Sequence, residues 1–225
     1  AHAKELLSSV CTPDYVARCD TEEQPPREAY EALGKQGWLG LIVPEEYGGT
    51  GGSAIDVAIL LEEAGYYSEE LAMWMFRTMT WGGYAVMTLG NEEQKKRILP
   101  KVAAGELSFC FGLSEPQSGS DAAALMTRAD VTDGGDYVIN GQKVFTSGMD
   151  ISDYCLLATR TENTDKKHEG ITNFLVDTKL PGIDIQRIAT LGHRAIGTTQ
   201  VFYSDVKVPA DAVLGEVGEG WRALD

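Results

Sequence analysis

Residues 110–121, "CFGLSEPQSGSD", place small and hydroxyl-bearing residues directly after a short apolar run. Gly112 and Gly119 allow the backbone to approach a ligand closely, and Pro116 fixes a bend between them. The hydroxyl groups come from three serines, Ser114, Ser118 and Ser120. Such a segment can offer backbone groups and hydroxyls to a flat polar heterocycle and a phosphate. An ordinary inter-domain loop has the same composition, so this stretch alone leaves both interpretations open.

A second stretch, "QKVFTSG" at residues 142–148, combines an aromatic ring with a hydroxyl group. In an extended chain Phe145 and Ser147 lie on the same side, because side chains alternate. A ring lying against a heterocycle, with a hydroxyl donating to the heterocycle's edge, would suit a flavin. The alternative is a core phenylalanine followed by a turn serine, and on this stretch alone the alternative is favoured.

A third stretch, "GTGGSA" at residues 49–54, fits the GxGxxA pattern of dinucleotide-binding loops and precedes a predicted helix. Glu69 and Glu70 stand roughly where a ribose-binding acid would be expected. However, "PEE" at residues 44–46 separates the glycines from the preceding apolar run, and no second strand follows the helix. A turn that needs positive φ angles explains the glycines equally well, so dinucleotide binding is disfavoured here.

The composition restricts the possible partners. The chain has 225 residues and a formal net charge of −15, which argues against nucleic-acid binding but not against a phosphate held by backbone N–H groups. No apolar run approaches the ~20 residues needed to span a bilayer, so we expect no membrane partner. The four cysteines form no CxxC motif and indicate reduced thiols, and the three histidines show no metal-ligand spacing.

The elements that must hold these stretches change in character along the chain. Ser53 and Asp56 form a capping-box pattern before the apolar helix 54–67, and residues 69–89 indicate a buried helix. Asn91 is predicted to cap a further helix that ends at Gly105. Beyond it, "DYVINGQKVFTS" alternates around Asn140–Gly141, which predicts a hairpin, and several strand-like runs follow.

Together these patterns predict a multi-domain α and β protein. An all-α helical N-terminal domain occupies residues 1–107, and a small all-β middle domain of barrel or sandwich type occupies residues 108–210. Residues 211–225 look like a loop that begins a third, helical element.

Six stretches, in this order and spacing, resemble the acyl-CoA dehydrogenases. They are "GLIVPEEYGGTGG", "NEEQKKRILPKVAAGE", "GLSEPQSGSDAAALMTRAD", "GDYVINGQKVFTSG", "GITNFLVD" with "PGIDI", and "LGHRAIGTTQVFYSDVKVPADAVLGEVGEGW". The resemblance covers nearly the whole chain and implies helical N-terminal and β middle domains. It also implies that a C-terminal helical bundle belongs after residues 211–225, so we expect the chain to be truncated before that bundle.

The resemblance implies an FAD site. Backbone groups of Phe111 and Leu113 and the hydroxyl of Ser114 would meet the polar edge of the flavin, and Ser120 would lie close to both flavin and thioester substrate. The remaining residues of the implied flavin site are Gly119, Phe145, Thr146 and Ser147. Phe145 stands where the family usually has Trp, against the flavin. Ser147 stands where it usually has Thr, donating towards N5.

The resemblance also implies an activity, namely α,β-dehydrogenation of an acyl-CoA thioester with hydride transfer to flavin N5. The catalytic base would be a Glu of the C-terminal bundle, so no catalytic residue is expected in this chain. Glu115 is expected to be structural, as a helix-capping or ion-paired residue. Alternatives are a non-catalytic acyl-CoA- or flavin-binding subunit, and an acyl-CoA oxidase or flavin monooxygenase of the same fold.

The family further implies partners and a setting. An electron-transfer flavoprotein would accept the electrons, and the protein would assemble as a homodimer or homotetramer in fatty-acid metabolism. The expected location is the bacterial cytoplasm, or the mitochondrial matrix if the source is eukaryotic.

Overall fold

A computed structural model describes residues 2–223 of the protein. These residues form two compact units, which confirms the predicted order of a helical domain followed by a β domain. The helical unit comprises the residues up to Thr88, Glu92–Phe109 and Ala189–Gly197. The β unit comprises Leu89–Asn91, Cys110–Ile188 and the residues from Thr198 onward.

The first part of the described chain is helical. Its α-helices are α1 (His2–Val10), α2 (Pro13–Glu22), α3 (Arg27–Lys35), α4 (Ala54–Tyr67), α5 (Glu69–Arg77), α6 (Ala85–Leu89) and α7 (Glu92–Ala103). The predicted capping box opens α4: the Asp56 N–H donates to Ser53 Oγ at 3.3 Å, and the Ser53 N–H donates to Asp56 Oδ2 at 2.8 Å. Gly105 follows α7 with φ +73°, a left-handed conformation suited to ending a helix.

The buried helix predicted for residues 69–89 is present but is not uniformly α-helical. A π-helical segment, Thr78–Tyr84, lies between α5 and α6. Within it, Gly82 packs against the ring of Phe109 so closely that a Cβ would stand 2.3 Å from Phe109 Cδ2. The glycine at this position therefore allows the wide turn to accommodate a buried aromatic ring.

The β unit is one mixed sheet. Its strands are β1 (Phe109–Gly112), β2 (Arg128–Val131), β3 (Tyr137–Lys143), β4 (Tyr154–Arg160), β5 (Ile171–Asp177), β6 (Ile183–Ile188), β7 (Thr198–Val208) and β8 (Val213–Leu214). The strand order is β6-β7-β3-β2-β4-β5-β8, and β1 pairs with β4. The β2–β3, β3–β7, β4–β5, β5–β8 and β6–β7 pairs are antiparallel, whereas β2 meets β4 in a parallel contact between Arg128 and Arg160.

Alternating residues of these strands form the core of the β unit. It is built from small, branched and aromatic side chains, among them Cys110, Ile139, Cys155, Phe174 and Val206, each fully buried. Tyr137 meets the ring of Phe174 edge-on, with the ring centroids 4.9 Å apart. This core supports β1 and β3, which lead into the two candidate flavin stretches, and β7, whose first residues bond Thr146 and Ser147.

The hairpin predicted at Asn140–Gly141 is wrong, because both residues lie inside the continuous strand β3. The turn instead joins β2 to β3, with the Gly135 N–H donating to Thr132 O at 2.9 Å. Gly141 sits at a bulge in the pairing with β7 and has φ +150°. A Cβ there would stand 2.7 Å from Thr127 Cα, so the glycine permits a close backbone approach rather than a turn.

The stretch before the GxGxxA pattern contains no strand that could lead into a dinucleotide loop. Trp38–Gly40 and Glu45–Tyr47 are short 3-10 helices. A Cβ at Gly49 would stand 2.0 Å from Val43 O, so tight local packing explains this glycine. The structure therefore supports the turn interpretation of these glycines.

The sheet continues past residue 210, where we expect the β domain to end. Val213–Leu214 pairs with Asn173–Phe174 of β5, and the Asn173 side chain donates to Gly220 O at 2.9 Å. Among the described residues no helix combines the length and apolarity needed to cross a membrane. Within the same residues no group of three His, Cys, Asp or Glu side chains is arranged to hold a metal ion.

Candidate functional site

The stretch that follows β1 is a tight, internally bonded corner. The Glu115 N–H donates to Ser118 O at 2.9 Å, and the Ser118 N–H donates back to Glu115 O at 3.0 Å. Pro116 and Gln117 form the exposed tip between them, and the Ser118 hydroxyl donates to Asp121 O at 2.9 Å. Proline and serine are suited to such a turn, because one presets φ and the other bonds nearby backbone. Ser118 therefore closes the corner, while Ser114 and Ser120 lie on either side of it.

A buried ion pair fixes this corner from inside. Lys143 Nζ lies 2.8 Å from Glu115 Oε1, and the two side chains are 0% and 2% exposed. The carboxylate also accepts the N–H groups of Met126 at 2.7 Å and Thr127 at 2.9 Å, and the Gln117 side chain at 2.6 Å. Glu115 is thus ion-paired and structural, as predicted.

The pKa values of the pair follow from these contacts. Burial alone would raise the pKa of Glu115, but the Lys143 charge and the donated hydrogen bonds outweigh it and hold that pKa below its ordinary value. Burial lowers the pKa of Lys143, and Glu115 opposes that change. A carboxylate held ionised by this many donors is a poor acceptor for a substrate proton.

The two glycines of the first stretch have different surroundings. A Cβ at Gly112 would stand 2.8 Å from Leu157 Cδ1 and 3.1 Å from Cys155 Sγ, so Gly112 is needed for packing on β4. A Cβ at Gly119 would meet no atom within 4 Å beyond its chain neighbours, and the residue is exposed. Of the two, only Gly119 therefore leaves open space for a ligand.

The second stretch is anchored to β7 and to the first stretch. The Val144 N–H donates to Ser114 O at 2.9 Å, so the two candidate stretches are directly bonded. The Thr146 N–H donates to Thr199 O at 3.0 Å, and the Thr199 hydroxyl donates to Thr146 O at 2.6 Å. The Ser147 hydroxyl lies 3.4 Å from the hydroxyl of Thr198.

Phe145 departs from the extended conformation that we assumed for this stretch. Its φ is +58°, in the left-handed region that bulky residues rarely adopt, and its side chain is 66% exposed. Backbone strain of this kind concentrates at functional sites, because the surrounding structure must impose it. Exposure nevertheless alternates: Thr146 is buried, whereas Phe145 and Ser147 are accessible.

Of the expected flavin residues, Thr146 is the one whose side chain does not reach the surface. It is 1% exposed, and its hydroxyl has no hydrogen-bond partner among the described residues. Both of its backbone groups bond Thr199. Thr146 is therefore an anchor of the segment, and a ligand on this surface would meet its two neighbours instead.

The groups left over on this surface suit a neutral, polar, flat ligand. The Ser114 N–H and hydroxyl and the Ser120 hydroxyl bond none of the described residues, and the Phe145 ring is exposed. The donors are one backbone N–H and two hydroxyls rather than cations, and Ser114 bonds Val144, the chain neighbour of Phe145. That donor set fits the polar edge and ring of a flavin.

Sequence reasoning missed three residues that organise the site: Lys143, Thr198 and Thr199. Lys143 is a single cation in an otherwise apolar alternation, and that pattern could have signalled a buried partner. The two threonines open β7 and carry no local signal of their own, because their contacts with residues 146–147 span more than fifty residues of sequence.

The helical unit contains its own concave regions. A cavity of about 330 Å³ lies between α2, the start of α5 and the loop Ala189–Gly197. Glu70 holds that loop by accepting the N–H groups of Ala195 at 3.2 Å and Ile196 at 2.5 Å. Glu70 thus binds backbone N–H groups of this chain, and a ribose-binding role is not needed to explain it.

The sequence and fold match one family throughout. The family profile "Acyl-CoA dehydrogenase, N-terminal domain" matches residues 1–106, and "Acyl-CoA dehydrogenase, middle domain" matches residues 110–206. "Acyl-CoA dehydrogenase FadE29" of Mycobacterium tuberculosis (strain ATCC 25618 / H37Rv) is 37% identical over 226 residues, which cover 100% of this chain and 57% of that relative.

Solved structures agree with the profiles. Butyryl-CoA dehydrogenase from Megasphaera elsdenii superposes with a TM-score of 0.90 at 27% identity, covering 99% of this chain and 60% of that one. A chain of the ChsE4-ChsE5 complex from Mycobacterium tuberculosis gives a TM-score of 0.85 at 36% identity, covering 99% and 56%. The chain thus spans little more than half the length of these relatives. With both of its domains matched in order, the chain belongs to the acyl-CoA dehydrogenase family.

Proposed function

We propose that this chain supplies the flavin-facing part of an FAD-dependent acyl-CoA dehydrogenase. One observation carries the proposal: the stretches 110–121 and 142–148 are joined by a hydrogen bond from the Val144 N–H to Ser114 O. Beside that bond, the Ser114 N–H and hydroxyl bond none of the described residues. Within the proposal, the Ser114 N–H and hydroxyl donate to the polar edge of the flavin. Backbone groups of Phe111 and the N–H of Leu113 complete that edge, since the Leu113 carbonyl already accepts Lys143 Nζ at 3.0 Å.

The second stretch contributes a ring and a hydroxyl. Phe145 offers its exposed face to the flavin, and Ser147 donates its hydroxyl towards N5. Gly119 allows close approach, and Ser120 lies where both flavin and thioester are expected. Bound FAD would supply the acceptor for the β-hydride of the acyl-CoA. The chain's own residues hold and polarise the acceptor by fixed donors, which need no reorganisation during the reaction.

Removal of the α-proton needs a carboxylate that is free to accept it. Glu115 is unsuited, because its two oxygens already accept four donors and its pKa is lowered. We propose that the base is a Glu of the C-terminal helical bundle that the relatives' greater length would accommodate. The 225-residue chain alone should therefore lack rapid turnover, since loss of a general base costs ~100- to 10,000-fold.

The partners follow the same proposal. We propose an acyl-CoA substrate, an electron-transfer flavoprotein as the electron acceptor, and a homo-oligomeric assembly in fatty-acid metabolism. A similar structure is that of the ChsE4-ChsE5 complex, so assembly with a second, different chain is the alternative. The bacterial sources of the relatives support a cytoplasmic location. A non-catalytic binding subunit and an oxidase or monooxygenase remain the competing functions.

The test is the absorbance spectrum of the complete gene product. It should be yellow, with a flavin spectrum that bleaches anaerobically when a suitable acyl-CoA is added. Bleaching with rapid recovery in air would favour an oxidase, and flavin binding without bleaching by any acyl-CoA would favour the non-catalytic subunit. A colourless protein that takes up no FAD on reconstitution would refute the proposed function.

A further inference from the structure

Lys143 makes more contacts with the candidate flavin segment than its ion pair requires. Its Nζ donates to Leu113 O at 3.0 Å as well as to Glu115 Oε1 at 2.8 Å. Its Cγ lies 3.7 Å from the position that a Cβ of Gly112 would take. The stem of this buried lysine therefore runs beneath residues 112–115, and its ammonium group bonds the backbone there.

The Leu113 contact fixes the direction of one peptide group. No peptide bond in the described chain is cis, and in a trans peptide the carbonyl and the following N–H point in opposite directions. Because the Leu113 carbonyl faces the buried Nζ, the Ser114 N–H points away from it. That N–H bonds none of the described residues, whereas the Ser114 carbonyl accepts the Val144 N–H at 2.9 Å.

We propose that Lys143 is a positioning residue that turns the Ser114 N–H outward as a hydrogen-bond donor to the flavin. It acts through the Leu113–Ser114 peptide and does not itself touch the cofactor. This inference rests on the proposed function, because it assigns the outward N–H to the polar edge of the flavin.

The alternative is that Lys143 serves only as the counter-ion of Glu115. Buried ion pairs contribute little net stability over apolar residues of similar size, so stability alone does not account for a lysine here. An apolar side chain of equal length would fill the same space, but it could not hold the Leu113 carbonyl. The two roles separate when the charge and the donor are removed independently.

The experiment compares Glu115→Gln with the double variant Glu115→Gln, Lys143→Met, in the complete protein stripped of flavin. The single variant keeps the Nζ donor to Leu113 but leaves the buried Lys143 ammonium without its counter-ion, so it should unfold more easily. The double variant removes both the donor and the buried charge, and all FAD titrations are therefore run under conditions in which every variant is folded. FAD is titrated by fluorescence quenching, and hydrogen exchange is followed in a peptide spanning residues 110–118. Val206→Ala, a core change in β7 at a residue that is 0% exposed, controls for general destabilisation.

We expect the FAD Kd of Glu115→Gln and of Val206→Ala to stay within about threefold of that of the unmodified protein. The FAD Kd of the double variant should rise ~10-fold or more, because one aligned donor is lost. FAD should slow exchange in the 110–118 peptide in all proteins except the double variant. The inference would be overturned if Glu115→Gln and the double variant had the same FAD Kd and the same protection from exchange, whether or not both differ from the unmodified protein. An unmodified protein that binds no FAD would instead refute the proposed function, and this inference with it.

Discussion

Replacing Lys143 by Met should destabilise the protein strongly at neutral pH. The substitution keeps an unbranched side chain that is one atom shorter, but it leaves the Glu115 carboxylate, 2% exposed, without its counter-ion. Breaking a buried ion pair from one side costs about 3–5 kcal/mol, because the remaining charge stays desolvated. Three donors to that carboxylate survive, namely the Met126 and Thr127 N–H groups and the Gln117 side chain. We therefore expect a loss near the lower end, ~3 kcal/mol at pH 7.

The dependence of this loss on pH is the sharper part of the prediction. In the unmodified protein the pKa of Glu115 is lowered, so its stabilising contribution is present above the unfolded value of ~4.3 and is lost as pH falls through the folded pKa. Without Lys143, only the hydrogen bonds oppose the effect of burial on Glu115, and we expect the pKa of Glu115 to rise above its unfolded value. The folded state then favours the neutral acid, and stability falls as pH rises through the raised pKa. The difference in free energy of unfolding between the unmodified protein and Lys143→Met should therefore become smaller from pH 7 towards pH 4.

The measurement is the free energy of unfolding from urea titrations at several pH values between 4 and 8. Lys179→Met is the matched control, since Lys179 is 79% exposed and lies 3.8 Å from Asp153. It should change the free energy of unfolding by less than ~1 kcal/mol at every pH. A Lys143→Met protein as stable as the control at pH 7, or one whose deficit grows on acidification, would refute this account of the buried pair.

Four further substitutions test the packing and the site. Phe145→Gly should raise the free energy of unfolding by roughly 0.5 kcal/mol, because glycine relieves the left-handed φ, yet it should weaken FAD binding. A clear loss of stability would instead show that the Phe145 ring contributes to packing. Gly112→Ala should cost ~1–3 kcal/mol, because its Cβ would stand 2.8 Å from Leu157 Cδ1, whereas Gly119→Ala should be silent in the same unfolding assay. Ser147→Ala should leave the melting temperature nearly unchanged but weaken flavin binding by ~1–3 kcal/mol, and an unaltered FAD Kd would reduce Ser147 to a turn residue.

The helix boundaries could be predicted because their determinants are local. Ser53 and Asp56 lie three residues apart and satisfy each other's backbone N–H groups, so the sequence pattern and the structure coincide at the start of α4. Gly105 ends α7 for an equally local reason, its left-handed φ. Neither case depends on what the helix packs against.

The Asn140–Gly141 pattern failed as a hairpin signal because tertiary pairing overrode a local preference. β3 pairs on both sides, with β2 and with β7, so the chain cannot turn at its middle. The Asn140 side chain instead donates to Asp205 Oδ1 at 3.0 Å, and the Asp205 N–H donates back to Asn140 Oδ1 at 2.9 Å. The dipeptide thus stabilises a bulge between two long strands, which no short window of sequence distinguishes from a turn.

The candidate site, too, could be predicted from sequence only in part. The composition of residues 110–121 signals close backbone approach, but it assigns Gly112 and Gly119 the same role, and only the packing against β4 separates them. Lys143 and Glu115 are 28 residues apart, so their pairing follows from strand order and not from spacing. The sequence therefore indicates where donors are available, and the sheet decides which of them remain unbonded.

The buried pair also explains how an acidic chain can prepare a site with neutral donors. The chain has a formal net charge of −15, and no cation is among the exposed donors named for the candidate site. Here the cation lies beneath the surface, where Glu115 neutralises it and its ammonium group also holds the Leu113 carbonyl. The surface therefore presents an oriented N–H donor rather than a charged group. Such a donor carries no net charge and is selective for the position of an acceptor, which suits an edge-on contact with a neutral heterocycle.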